Sequence, residues 1–118
     1  VLDDSIFSET TLKQLKICLE GVVTNGTGKS LLNPFYTLAG KTGTAQVANG
    51  NKGYSDHTYQ SSFAGYFPAE NPKYSCIVVI KNKPHAAKYY GAQIAGPVFK
   101  EIANKLMGKR RSKFQSLE

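Results

Sequence analysis

Near the start of the chain apolar residues recur at helical spacing: Leu12, Leu15, Leu19 and Val22, with Cys18 and Val23 widening the stripe. Steps of three and four residues bring side chains to one side of a 3.6-residue turn, so an amphipathic helix is predicted over residues 9–24. Ser8 ahead of Glu9 can cap its first amides, and Asn25-Gly26 supplies the stop. The Gly-, Asn- and Pro-rich stretch from Thr27 to Pro34 reads as a loop.

The pattern then changes. Residues 36–47 are rich in Thr, Ala and Gly, which predicts a strand whose Gly40 and Gly43 admit close backbone approach. A polar connection covers 48–57. Residues 59–67 alternate, with Phe63 and Phe67 on one side, and Asn71-Pro72 marks a turn before the apolar run Tyr74–Lys81. These two strands form a hairpin. After a loop over 82–90, Ile94, Val98, Ile102 and Leu106 predict a second amphipathic helix, with Ala95 and Phe99 beside the stripe. Pro97 either opens or kinks it. Helix, three strands, helix with hairpin linkage makes an α+β protein. Its three-stranded antiparallel sheet has both helices expected on one face.

The chain of 118 residues is 41% hydrophobic and 19% charged, a composition of one ordinary globular domain. Its longest apolar run, Cys76 to Ile80, has the length of a buried strand rather than of a membrane span. The acidic start Val1-Leu2-Asp3-Asp4 lacks the apolar stretch of a leader, and both ends read as cuts in a longer chain. Domain structure is expected over residues 1–107, followed by a basic tail, 108–118, disordered or added by cloning. That tail carries four cations against Glu118, so +3 of the +7 net charge belongs to it and +4 to the rest. No nucleic-acid-binding motif accompanies the charge, and no nucleic-acid partner is expected.

Cys18 and Cys76 fit no metal spacing; both are expected to act as small apolar residues, with a disulfide between them left open. His57 and His85 are expected as solvated loop residues, and neither a metal nor a cofactor is expected. The tyrosines at 54, 59, 66, 89 and 90 are expected at the core and rim of the sheet.

Chemistry concentrates in Gly40-Lys41-Thr42-Gly43-Thr44-Ala45-Gln46. Lys41 offers a fixed cation, Thr42 and Thr44 offer hydroxyls, and Gly43 leaves a strand edge against which a ligand could lie as an added strand. Strict alternation puts Lys41 and Thr42 on opposite faces, so both reach one ligand only at an edge or through local twist. A phosphate-binding loop is excluded. The glycine that such a loop needs five residues before Gly28 or Gly40 is Val23 or Phe35.

Lys41-Thr42-Gly43, on a strand between a helix and a hairpin, resembles the third motif of the serine penicillin-recognising enzymes. The runs GVVTNGTGKS, SSFAGYFPAENPKYSCIVVI and YYGAQIAGPVFKEIANKL extend the likeness over about residues 8–107. They are similar to the C-terminal part of the transpeptidase domain of class B penicillin-binding proteins, above all the septal, cell-division transpeptidases. The resemblance implies part of a β-lactamase/transpeptidase-like fold whose remaining strands are encoded upstream. It implies a D,D-transpeptidase parent that cross-links peptidoglycan stem peptides and binds β-lactams. In it, Lys41 and the Thr42 hydroxyl orient the substrate carboxylate, Gly43 leaves room, and the Thr44 N–H is an oxyanion-hole donor. It further implies the upstream half of the domain as a partner, division-machinery proteins as others, and a membrane-anchored parent with this domain on the extracytoplasmic side.

The family's nucleophile sits in Ser-x-x-Lys and its proton-shuttling partner in Ser-x-Asn. No serine here has Lys three residues on or Asn two on, and Thr10-x-x-Lys13 merely opens the first helix. The chain alone is therefore expected to be inactive. A binding-only parent, a β-lactam sensor or a structural subunit of the division machinery, is the alternative.

Overall fold

The computed structural model describes residues 4–48 and 50–115, with side chains described through Gly108. Helix α1 spans Glu9–Thr24, strands β1, β2 and β3 span Ala39–Val47, Thr58–Phe67 and Tyr74–Lys81, and helix α2 spans Gly91–Gln115. Short 3-10 turns occupy Lys29–Leu31 and Gly50–Lys52. The α+β order predicted from the pattern holds. The strands form one antiparallel sheet in the order β1-β2-β3. The backbone of α2 continues through residues assigned above to a basic tail, and 116–118 lie outside the described residues.

Local chemistry sets the ends of α1. The Ser8 hydroxyl accepts from the Thr11 amide at 3.2 Å, so one of the unpaired first-turn donors is satisfied. At the other end the Asn25 amide donates to the Gly21 carbonyl and the Gly28 amide to the Val22 carbonyl, which turns the chain back. Beyond it, Tyr36 to Leu38 do not join β1. Instead the Thr37 amide donates to Glu70 Oε1, and its carbonyl accepts from the Ala69 amide, both at 2.8 Å. This clasp ties the entry of β1 to the β2–β3 turn, which contains a cis Phe67-Pro68 bond.

Sheet register decides which residues meet the core. Gly40 pairs with Gly65, Thr42 with Phe63, and Phe63 in turn with Val78. On that face Phe63, Phe67 and Val78 are buried together with Ala95, Phe99 and Ala103 of α2. The Phe63 and Phe99 rings lie 4.7 Å apart, tilted by 55°. Their bed is the Gly40–Gly65 pair: a Cβ on Gly40 would run into the Phe63 ring, and one on Gly65 would lie 3.1 Å from the tip of Phe99.

Two apolar stripes pack differently from expectation. In α2 the buried seam is Ala95, Phe99 and Ala103, one residue on from the predicted Ile94, Val98 and Ile102. Small alanines let the helix axis approach the sheet, and Phe99 fills the space between them. Pro97 lies inside the helix, where its missing N–H interrupts one backbone bond. In α1 only Val23 is buried and joins the core; Leu12 and Leu15 remain exposed. Cys18 is exposed on this helix, contrary to the expected burial, and both cysteines are free thiols. On the opposite sheet face Lys41, Ala64 and Ile77 lie in register and exposed, with Ile77 and Val79 67% and 49% exposed, whereas Ala39 and the Tyr66 hydroxyl at the other end of that face are buried.

Candidate functional site

The segment Lys41 to Thr44 lies in the middle of β1, and no further strand flanks β1 among the described residues. Built on Gly65, a Cβ would strike the Ala39 carbonyl, and on Gly40 it would strike the Ala64 carbonyl, so these oxygens point into the β1–β2 seam. Alternation along an antiparallel ladder then turns the peptide groups of Gly40, Thr42 and Thr44 outward. The Lys41 ammonium donates to the Thr42 carbonyl at 3.0 Å, on that outer side. The Lys41 side chain thus reaches the backbone of Thr42 at the edge, while the Thr42 hydroxyl faces Thr27, and Lys41 is not among the residues that line the groove beside the edge.

Beside this edge lies a groove of about 680 Å³. Thr42 and Thr44 line it from β1, Thr27 and Ser30 from the chain after α1, and Tyr90 and Gln93 from the start of α2. Lys88 also borders it. Thr27, Ser30, Thr42, Thr44 and Tyr90 bring hydroxyls to a wall that is apolar over most of its area, and the Lys88 cation suits an anionic ligand. Thr27 Oγ1 and Thr42 Oγ1 lie 3.4 Å apart, and the Thr44 hydroxyl accepts from the Gly91 amide at 3.2 Å.

The segment before α2 is fastened from β2. The buried Ser61 hydroxyl donates to the Tyr89 carbonyl and accepts from Asn82 Nδ2, the latter at 2.7 Å. Tyr59 stacks on Tyr89 with ring centroids 4.0 Å apart and planes 11° from parallel. A hydrogen bond with Tyr90, with repulsion from that phenol, raises the Tyr89 pKa. Burial, then the charge of Glu20, raises that of Tyr66, whose hydroxyl is buried without a protein partner.

Sequence reasoning missed Thr27, Ser30, Tyr90 and Gln93 as groove residues. They come from loops and a helix start, for which periodicity carries no signal. Tyr54 and Tyr90 are exposed rather than packed into the sheet. The two loop histidines are exposed, yet their rings lie 5.6 Å apart, and both take positive φ angles, 43° for His57 and 56° for His85. Among the described residues no cluster of three or more His, Cys, Asp or Glu could hold a metal ion, and no helix is long and apolar enough to cross a membrane.

Residues 1–104 match the penicillin binding protein transpeptidase domain. The chain belongs to that family. It is 38% identical over 108 residues to a peptidoglycan D,D-transpeptidase FtsI homolog of Chlorokybus atmophyticus, covering 92% of this chain and 16% of that protein. It is 36% identical to the peptidoglycan D,D-transpeptidase FtsI of Buchnera aphidicola, over 91% of this chain and 18% of the relative. The chain thus spans less than a fifth of these relatives. Among solved structures, the transpeptidase domain of the FtsI4 D,D-transpeptidase of Legionella pneumophila superposes with a TM-score of 0.72 at 39% identity. That match covers 88% of this chain and 38% of the other. Penicillin binding protein 3 of Mycobacterium tuberculosis, complexed with aztreonam, gives a TM-score of 0.71 at 32% identity over 90% of this chain and 25% of that one.

Proposed function

We propose that this chain is the substrate-strand portion of a serine D,D-transpeptidase that cross-links peptidoglycan stem peptides and is acylated by β-lactams. The observation that carries the reading is the free edge at Lys41, Thr42 and Thr44 beside a hydroxyl-lined groove. A stem peptide ends in a carboxylate and presents an extended backbone. The Lys41 ammonium, now held on the Thr42 carbonyl, swings to that carboxylate, and the Thr42 and Thr44 hydroxyls donate to it. Gly43 keeps the strand slim so that the peptide lies along it. The outward Thr44 amide is one of two donors for the oxyanion of the tetrahedral intermediate, where a fixed dipole lowers the barrier.

The serine that forms the acyl-enzyme, with its lysine and the Ser-x-Asn partner, comes from the upstream half of the domain. This chain contains none of these motifs and is inactive alone. The half-exposed stripe of α1 and the open sheet face fit such a missing half. Its parent acts at the outer side of the cytoplasmic membrane, where its polymeric substrate lies.

Labelling with a fluorescent penicillin tests the proposal. The isolated chain should stay unlabelled after denaturation, and the longer parent protein should carry one covalent label. Stoichiometric labelling of the isolated chain, or none of the parent, contradicts it.

A further inference from the structure

We infer that Gly91 is a positioning residue that fixes the Thr44 hydroxyl as a hydrogen-bond donor toward the substrate carboxylate; this rests on the reading of β1 as the substrate strand. A threonine hydroxyl has one proton and two lone pairs, and its rotor turns to suit its neighbours. Here the Gly91 amide donates to Thr44 Oγ1 at 3.2 Å, so one lone pair is occupied from the α2 side. The hydroxyl proton is thereby left for the groove that Thr44 lines. An anion there meets a donor already aimed at it. Thr42 lacks this device, because its neighbour is the Thr27 hydroxyl at 3.4 Å and either oxygen could donate.

Only glycine fits at position 91. A Cβ there would collide with the Ser62 carbonyl and lie 2.7 Å from the Gly43 carbonyl oxygen and 3.1 Å from the Gly43 nitrogen. Those are backbone atoms of the paired strands, which cannot swing aside as a flexible side chain would. Any larger residue therefore lifts the start of α2 from β1, and the amide-to-hydroxyl bond goes with it. The approach to Gly91 is set from β2 as well, because Ser61, braced by Asn82, holds the Tyr89 carbonyl two residues earlier.

The test compares acylation of the longer parent protein by benzylpenicillin and by its methyl ester, which lacks the carboxylate charge. Gly91→Ala should slow the acid about tenfold relative to the ester, the size of one charge-assisted hydrogen bond. Ser61→Ala adds no volume and should shift the same ratio in the same direction by about threefold, a part of that bond. It decides the matter if Gly91→Ala fails to fold. Equal slowing with both ligands would reduce Gly91 to a structural role, and an unchanged ratio with both variants overturns the inference. A wild-type parent that neither ligand acylates would instead sink the transpeptidase reading itself.

Discussion

The Lys41 ammonium curls over the free edge of β1 to the carbonyl of its neighbour Thr42, 3.0 Å away. Adjacent strand residues point to opposite faces, so this pair could serve one ligand only at an edge or through local twist. The edge position of β1 supplies that condition. It also leaves the ammonium a short move from any carboxylate seated beside Thr42.

Acid should loosen the clasp at the entry of β1. Burial alone would raise the Glu70 pKa, but hydrogen bonds from the Thr37 side chain and from the Glu70 and Thr37 backbone outweigh it and hold the value below the ordinary range. A carboxyl depressed on folding contributes stability that is fully present above its unfolded pKa and is lost as pH falls through the folded one. Urea midpoints measured from about pH 6 down to about pH 3 should fall, and Glu70→Gln should flatten that slope. Identical slopes would remove Glu70 from the account.

Phe99 is fully buried against Phe63 and Phe67, with centroids 4.7 and 5.6 Å away. Replacing it with alanine should cost about 3–5 kcal/mol, since the bed of paired glycines beneath cannot collapse further. Denaturant unfolding monitored by circular dichroism measures the loss. A cost under about 1 kcal/mol would mean that α2 is not seated on this face.

Strand β3 ends the sheet on the side away from β1, and Ile77 and Val79 stand exposed on its open face. An unpaired apolar strand is a template for another chain. The isolated chain should self-associate as its concentration rises, by sedimentation velocity, and Ile77→Lys should suppress this. Association unaffected by the lysine would place the contact elsewhere, on the uncovered α1 stripe.

Much of this architecture was legible in the sequence, and the reasons are local. Ser8 and Asn25-Gly26 bracket α1 because capping is a matter of a few neighbouring residues, and β3 runs over Tyr74–Lys81 as its apolar run predicts. Periodicity could not say which side of a helix finds a partner. The α1 stripe reads as core, yet Leu12 and Leu15 stay partly exposed, and in α2 two alanines displaced larger residues from the seam. Lys41 to Thr44 stood out through residue type and context. The groove beside them did not, because Thr27, Tyr90 and Gly91 converge only in three dimensions.

The central claim is that β1 is the strand on which an acyl-donor peptide is bound and activated. Rates of acylation by fluorescent penicillin, compared for the longer parent protein and its Lys41→Ala variant, test it most directly. One lost charge-assisted contact to a carboxylate is worth about 1.5–3 kcal/mol, so the variant should react roughly ten- to a hundred-fold more slowly with its thermal midpoint preserved. Unchanged acylation in a folded Lys41→Ala protein would contradict the account.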